Sequence, residues 1–213
     1  KNKVGMATVE VSTAYELPSN ARYAPGVPPR IVTRAKAEDA ARMVEDVKQA
    51  KKVADVVVVS WHWGLTRYAN AWAMGIPVED APFFVHQYQE DMGRLAIDAG
   101  ADLVMGHHPH RLQGLEIYKD RLICYSLGDL VMSFDEGANF GPESLVVRGY
   151  IDRKTKKVTR FTAIPLLVPH HIREPYPLEG DEALAFVPML TELSKKYRTR
   201  FRMEGGEIVI EAP

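Results

Sequence analysis

The β-branched run at residues 55–60, Asp-Val-Val-Val-Val-Ser, is the feature that most constrains how this chain folds. Strands that are covered on both faces are apolar throughout, whereas strands with one wet face alternate apolar and polar residues. Residues 102–105 have the same character, and a helical pattern at residues 84–99 leads to them through Gly100, a residue that favours helix C-termini. Strand, helix and strand in this order predict two adjacent parallel strands joined by a right-handed crossover.

The remaining periodicities predict an α/β fold in which a mixed sheet is flanked by helices and the later strands are antiparallel. We expect one domain over residues 1–213, in which residues 170–213 form a C-terminal extension with a helix and a strand. A long Pro-containing connection is predicted at residues 12–31. The other predicted elements are a strand at 3–11, a helix at 35–51, hairpins at 115–127 and 145–167, a helix at 181–197 and a strand at 207–211.

The composition excludes several classes of protein. The 213 residues are 46% apolar and carry a net charge of −1 with both signs interspersed, so there is no electrostatic reason to expect a nucleic acid partner. No apolar stretch approaches the roughly 20 residues that a membrane-spanning helix needs. The single cysteine, Cys124, excludes an internal disulfide, and its apolar neighbours predict a buried, unreactive thiol.

Histidines follow both strands of the predicted crossover unit. Because the loops after parallel strands lie along one edge of the sheet, we expect the two histidine segments to face each other. The first is Ser-Trp-His-Trp-Gly at residues 60–64, where two tryptophans give His62 the rigid surround that a metal ligand needs. The second is Gly-His-His-Pro-His at residues 106–110, where three histidines in four residues are hard to explain as packing. The alternatives are a half-buried structural His62 and an exposed histidine cluster.

Pro109 bears on which of these histidines share an ion. Proline biases the residue before it towards extended backbone, and residues two apart in an extended chain point the same way. We therefore expect His108 and His110 to aim at one ion, with His107 pointing elsewhere unless the backbone turns at Gly106. Neutral imidazoles favour zinc, iron, manganese or nickel over calcium.

These segments resemble the CapA-type capsule synthesis (poly-γ-glutamate biosynthesis) proteins, a branch of the calcineurin-like metallophosphoesterases. That family has a Ser-x-His-Trp-Gly segment, a Gly-Ala-Asp-Leu-Val-x-Gly-His-His-Pro-His segment and a Tyr-Ser-Leu-Gly-Asn segment. This chain has the first at residues 60–64, the second at 100–110 and, with Asp129 in place of the asparagine, the third at 125–129. The resemblance covers about residues 54–169.

The resemblance implies an α+β, four-layer-like metallophosphoesterase fold that is incomplete at the N-terminus. It also implies a centre of two divalent transition metals (Mn, Fe or Zn) with ligands among His62, His107, His108 and His110, in which His108 and His110 are preferred to His107. In such a site His62, His108 and His110 would be the catalytic residues. The family's aspartates and its Asn-His pair have no counterpart here, so the remaining ligands are expected upstream of Lys1 or on another chain. We expect the 213 residues alone to be inactive and to bind metal weakly.

Further polar residues flank the histidine segments. Arg67 and Arg111 are predicted to bind an anionic substrate. The alternative is that both are ordinary surface or structural arginines. Asp129 is predicted either to contact the substrate site or to close a turn. His86, near the start of the predicted helix, is interpreted as a residue without a functional role.

Two functions follow from the resemblance. One is a metal-dependent hydrolase that acts on a phosphoester or another anionic substrate. The other is a non-catalytic cell-surface protein that binds or helps to export an anionic polymer such as polyglutamate. In either case the partner is an anionic small molecule or polymer, and the family implies a location at the cell surface or in the periplasm. The membrane anchor would be a segment N-terminal to this chain.

Overall fold

The computed structural model describes residues 6–16, 30–64, 84–131, 141–169 and 174–213, which form three layers. Two long helices cover one face of a four-stranded mixed sheet, and a five-stranded antiparallel sheet covers the other. The predicted α/β class, with a mixed sheet flanked by helices and antiparallel later strands, is confirmed. Within the described ranges, no helix is both long and apolar enough to cross a bilayer.

The helices and strands alternate in the first half of the chain, and strands predominate in the second half. In chain order they are β1 (Val11–Glu16), β2 (Arg30–Ala35), α1 (Ala37–Val53), β3 (Val58–His62), α2 (Gln87–Ala99), β4 (Leu103–His107), β5 (Leu115–Tyr118), β6 (Arg121–Cys124), β7 (Glu143–Ile151), β8 (Val158–Leu167), β9 (Tyr176–Pro177), α3 (Gly180–Leu184), α4 (Phe186–Leu193), β10 (Arg200–Glu204) and β11 (Glu207–Glu211).

The mixed sheet has the order β3-β4-β6-β5, in which β3, β4 and β6 run parallel and β5 pairs antiparallel with β6. The helix α2 lies between β3 and β4 in the chain, as the sequence predicts. It ends at Gly100, whose φ of 117° is a left-handed conformation that glycine adopts without strain. The antiparallel sheet has the order β10-β11-β8-β7, and β9 pairs with β8. Residues 170–213 therefore contribute three strands to this sheet.

Successive side chains of β6 point alternately into two hydrophobic cores, one on each side of the mixed sheet. Leu122 and Cys124 face the antiparallel sheet, whereas Ile123 faces the helices, and all three are fully buried. Leu122 and Ile123 each contribute roughly 1.5–3 kcal/mol when they leave water. Cys124 is the buried thiol that the sequence predicts, and burial raises its pKa far above the ordinary value, so the reactive thiolate is disfavoured.

Several predicted boundaries were wrong. Within the described residues the first strand begins at Val11, residues 6–10 of the predicted strand are not in a strand, and residues 3–5 lie outside the described ranges. The strand pairs with β2 across a stretch that was predicted as one connection. Most of the described side chains of β1 are exposed, so no buried face repeats along it and the sequence pattern gave no signal. The helix predicted at 181–197 is divided into α3, α4 and a 3₁₀ turn at Lys195–Tyr197, and β9 and β10 were not predicted.

The strand β3 differs from its prediction in one respect. Its run of valines predicts cover on both faces, but Val57 and Val59 face the helices while Val58 is 47% exposed. The reason is topological. Within the described residues β3 is the edge strand of its sheet, and the antiparallel sheet packs mainly on β5 and β6 rather than on β3.

Asp102 fixes the point at which β3 and β4 begin. Its carboxylate accepts the backbone N–H of Val57 at 3.0 Å and contacts Lys51 Nζ at 2.6 Å and Arg121 Nε at 3.2 Å. Its own backbone N–H donates to the Val57 carbonyl at 2.8 Å. The side chain is only 4% exposed, and a buried carboxylate is tolerated because cations and a backbone donor surround it. The alignment of the two strands is thus set at their N-terminal ends.

Gly106 has no side chain, which leaves space beside β4 for the indole of Trp63 and the carbonyl of Tyr125. A Cβ on Gly106 would overlap the carbonyl oxygen of Tyr125 and Nε1 of Trp63. Those two atoms form a buried hydrogen bond, with the Trp63 indole donating to the Tyr125 carbonyl at 2.7 Å. The side chain of any other residue would have to displace this hydrogen bond.

We expect Gly106→Ala to lower the free energy of unfolding by about 2–4 kcal/mol, because overpacking and a broken buried hydrogen bond add together. The measurement is urea denaturation followed by circular dichroism. Gly149→Ala is the matched control, because Gly149 also lies in a strand and a Cβ there would be no closer than 3.5 Å to Val158. Equal effects of the two substitutions would contradict this account of Gly106.

Candidate functional site

The two histidine segments meet at the C-terminal ends of β3 and β4. The parallel register places Ser60 opposite Met105 and His62 opposite His107. One further backbone hydrogen bond, from Trp63 N–H to the His107 carbonyl at 3.0 Å, extends the ladder past the strand ends. The prediction that the two loops share one edge of the sheet is therefore confirmed.

Four imidazole rings lie next to one another at this edge. The ring centroid of His62 is 5.1 Å from that of His107 and 4.3 Å from that of His108. The His108 and His110 rings are 6.1 Å apart. Because His62 is exposed and the other three are half-buried, the cluster is open to solvent on one side. We call these four residues the histidine cluster.

The closest polar contact in the histidine cluster joins the two strands. Nδ1 of His62 lies at a hydrogen-bond distance of 3.2 Å from Nδ1 of His107, with the proton on one of the two nitrogens. On the other side of the His107 ring, Nε2 lies 3.1 Å from the Ser60 hydroxyl. Sequence reasoning placed Ser60 in the first histidine segment but gave it no role, although its position two residues before His62 places both side chains on one face of a strand.

The expected conformation of the second segment was wrong. His108 has φ of 110° and His110 has φ of 56°, so neither is extended, and His107 points towards His62 rather than away from it. The reason is packing, since Pro109 is buried against the turn that follows β3. A Cβ on Gly64 would lie 3.0 Å from Pro109 Cγ, and Gly64 N–H donates to the Tyr88 hydroxyl at 2.5 Å. Positive φ at two non-glycine residues costs about 1–3 kcal/mol each and is typical of functional sites.

Asp129 lies beside the last histidine of the cluster. Its Oδ1 is 2.7 Å from Nδ1 of His110, and the two side chains are 14% and 20% exposed. A carboxylate at Nδ1 holds the proton on that nitrogen, so the electron pair of the neutral ring is on Nε2. Asp129 thus contacts the site, and its predicted contact with substrate stays a prediction.

Stacked aromatic rings lie on the face of β3 opposite His62. The rings of Trp61 and Trp63 stack at 5.6 Å with an angle of 4°, and Trp63 stacks on Tyr125 at 6.0 Å. Tyr125 is itself held by its hydroxyl, which donates to the buried Glu116 at 2.5 Å. Both tryptophans point towards the helices, so His62 between them points to the opposite face of β3. The rigid surround that the sequence predicts for His62 is present.

The other predicted site residues have different outcomes. The Arg111 guanidinium packs over Gly141, where a Cβ would be 2.5 Å from Nη1, and its role in binding an anion stays a prediction. Arg67 lies outside the described residues. His86 is not a surface residue: it is 7% exposed and stacks on Tyr88 at 6.3 Å, immediately before α2.

Burial and repulsion between imidazoles favour the neutral forms of His107 and His108. Loss of hydration lowers the pKa of His107, and the nearby His62 lowers it further. The pKa of His108 is lowered first by burial and then by His62, His110 and His107. Burial alone lowers the pKa of His86. A neutral imidazole is the form that binds a metal, so these environments favour metal ligation.

The geometry of the histidine cluster fits part of a transition-metal site. Two nitrogens that bind one tetrahedral ion at 2.0–2.1 Å lie about 3.3 Å apart, close to the 3.2 Å between Nδ1 of His62 and Nδ1 of His107. Across the described residues, however, no three His, Cys, Asp or Glu side chains converge on one point that would hold an ion. The described residues therefore provide a pair of matched donors rather than a complete ligand set.

We expect the stability of the metal-free chain to fall as the pH drops below about 6.5, the ordinary histidine pKa. The pKa values of His86, His107 and His108 are lower in the folded chain than in the unfolded chain. At pH values between the folded and the ordinary pKa, the unfolded chain therefore binds more protons, and the free energy of unfolding rises with pH. Above the ordinary pKa it levels off. Thermal unfolding with a chelator at pH 5–8 measures this. The stability of the variant His107→Asn should depend less steeply on pH. An unchanged pH dependence would contradict the attribution of part of this effect to His107.

Comparisons with known proteins identify the family of this chain. The sequence profile of the family described as "Bacterial capsule synthesis protein PGA_cap" matches residues 3–133, a range that includes β3, β4 and Asp129. The chain is 32% identical over 165 residues to the PGA biosynthesis protein CapA of Bacillus subtilis, an alignment that covers 78% of this chain and 38% of that protein. It is 34% identical over 155 residues to the capsule biosynthesis protein CapA of Bacillus anthracis, covering 72% of this chain and 32% of that protein.

A probable polyglutamine synthesis accessory protein of Mycobacterium tuberculosis is 33% identical over 85 residues, which are 40% of this chain and 19% of that protein. The chain thus spans about a third of the length of the two CapA proteins that it matches. The profile match covers more than half of the chain, and both CapA alignments exceed 30% identity over more than two thirds of it. The chain therefore belongs to the bacterial capsule synthesis protein (PGA_cap) family.

Proposed function

We propose that the histidine cluster is part of a divalent transition-metal centre that hydrolyses a phosphoester or another anionic substrate in the synthesis of a polyglutamate capsule. The observation that carries this proposal is the 3.2 Å separation of Nδ1 of His62 from Nδ1 of His107, which suits two ligands of one ion. Zinc, manganese and iron are the metals that fit imidazole donors. By family, the proposed location is the cell surface or the periplasm.

Each histidine has a distinct part in the proposed site. His62 and His107 would hold the ion through Nδ1, and His108, whose ring centroid is 4.3 Å from that of His62, is the nearest further donor. His110 is paired with Asp129 and would act as a ligand through Nε2 or, with both ring nitrogens protonated, donate the Nε2 proton to the leaving group. When bound, a divalent metal supplies Lewis-acid polarisation of an anionic oxygen.

A dinuclear centre needs more than these residues provide. Two metal ions about 3.5–4 Å apart require bridging oxygens to offset their charge, and imidazoles do not bridge in this way. Asp129 is the carboxylate that contacts the cluster within the described residues, and it is engaged by His110. We propose that the bridging carboxylates come from a segment upstream of Lys1 or from another chain.

One observation favours a non-catalytic alternative. No three ligand side chains converge within the described residues, and the cluster is open to solvent. In this alternative the fold would bind or help to export an anionic polymer such as polyglutamate without hydrolysing it. Metal content and turnover distinguish the two functions.

We expect the isolated chain to bind Zn²⁺ or Mn²⁺ weakly and to be inactive, and we expect the chain joined to its upstream coding segment to bind metal more tightly and to hydrolyse a generic phosphodiester. His62→Ala and His108→Ala should weaken metal binding at least about tenfold and abolish turnover, since even outer-shell partners of a metal site are worth about 10–100-fold. Metal content by mass spectrometry and turnover of bis(p-nitrophenyl) phosphate are the measurements.

His86→Gln is the matched control, because it removes a histidine that lies outside the cluster, against Tyr88. The proposal requires that this variant, once shown to be folded, keep the metal affinity and turnover of the parent. Turnover that survives both His62→Ala and His108→Ala would remove the hydrolase proposal. Metal binding without turnover would favour the polymer-binding alternative.

A further inference from the structure

Ser60 contacts the histidine cluster although nothing in the family resemblance gives it a role. It lies in β3, two residues before His62, so both side chains project from the same face of the strand. The register of β3 and β4 brings His107 to this face, with Nε2 of its ring 3.1 Å from the Ser60 hydroxyl oxygen. The serine therefore contacts the ring nitrogen of His107 that faces away from His62.

The two contacts of His107 are chemically linked. A neutral imidazole carries one proton, so one ring nitrogen donates and the other accepts. If Nδ1 of His107 is to bind an ion together with Nδ1 of His62, its proton must be on Nε2, and Nε2–H then needs an acceptor. The Ser60 hydroxyl oxygen is at hydrogen-bond distance to serve as that acceptor.

We propose that Ser60 is a positioning residue that holds His107 in the Nε2–H tautomer and so directs the Nδ1 electron pair towards His62. The inference rests on the proposed metal site, because it assigns the ligand atom of one member of that site. Ligand histidines commonly donate their second N–H to a neighbouring group that fixes the tautomer and the ring orientation. The hydroxyl of Ser60 would perform this task for His107.

The partner of His110 contacts the other ring nitrogen, Nδ1. Nδ1 of His110 lies 2.7 Å from the Asp129 carboxylate, which only accepts hydrogen bonds when ionised, so the proton is on Nδ1 and the electron pair is on Nε2. The two histidines thus present different ring nitrogens because different partners hold their protons. Backbone geometry explains the difference, since His107 ends a regular strand while His110 lies in a turn with φ of 56°.

The partner of His107 is an uncharged hydroxyl, whereas the partner of His110 is a carboxylate, and either kind of group can fix the tautomer of a ligand histidine. A serine hydroxyl accepts the hydrogen bond without adding charge, and its short side chain fits next to a ring on the adjacent strand. Threonine would keep the hydroxyl and is favoured in strands, so it is the conservative replacement.

Two measurements on the metal-free and zinc-titrated chain test this inference. In the metal-free chain, nitrogen-15 NMR of the imidazoles should find His107 in the Nε2–H tautomer, and Ser60→Ala should remove that preference. Titration with Zn²⁺ against a chromophoric chelator should show an affinity about tenfold lower for Ser60→Ala, at the lower end of the range for outer-shell partners because Ser60 is exposed. Ser60→Thr should restore both readouts.

Val58→Ala is the matched control, because Val58 precedes Ser60 by two residues on the same face of β3 and is 47% exposed. Its zinc affinity and its His107 tautomer should equal those of the parent. A parent chain with His107 in the Nδ1–H tautomer would overturn the inference, as would equal zinc affinities of Ser60→Ala and Val58→Ala. If no variant of the isolated chain binds zinc, the tautomer in the parent and in Ser60→Ala alone decides the role of Ser60, and metal binding by the chain joined to its upstream coding segment decides the proposed metal site.

Discussion

The parallel register of β3 and β4 is the constraint on which the rest of the site depends. It sets His62 opposite His107, and a slip by one residue would turn one of these side chains to the opposite face of the sheet. Asp102 fixes the register at one end of the strands through its bonds to Val57 and its two cations. Gly106 and the indole of Trp63 fix it at the other end, where no side chain larger than hydrogen fits.

The histidine cluster combines a rigid part with a strained part. His62 and His107 belong to regular strands backed by stacked aromatic rings, which hold their imidazoles in place without help from a ligand. His108 and His110 lie in a turn whose positive φ values are maintained by the packing of Pro109 against Gly64. Pre-organised donors of this kind reduce the conformational cost of binding an ion, which is consistent with the proposed role of the cluster.

Sequence reasoning succeeded where a pattern has one structural solution. The apolar runs around residues 57 and 104, with a helical repeat between them, allow only a parallel pair joined by a crossover, and the edge shared by His62 and His107 follows from it. It failed where long-range packing overrides local preference. The bias that Pro109 exerts on His108 was outweighed by contacts with a turn that lies far away in the sequence, and the exposed strand β1 carries no alternation from which it could be recognised.

The sequence by itself determined the α/β class, the order of the crossover unit, the burial of Cys124 and the identity of the imidazoles at the sheet edge, because these depend on residue type and periodicity. The tertiary structure alone decided which ring nitrogens face each other, that Ser60 and Asp129 contact His107 and His110, and that Val58 is exposed. The physical reason is that a hydrogen bond is decided by distances of tenths of an ångström between strands and turns far apart in the chain, and local sequence does not encode such distances.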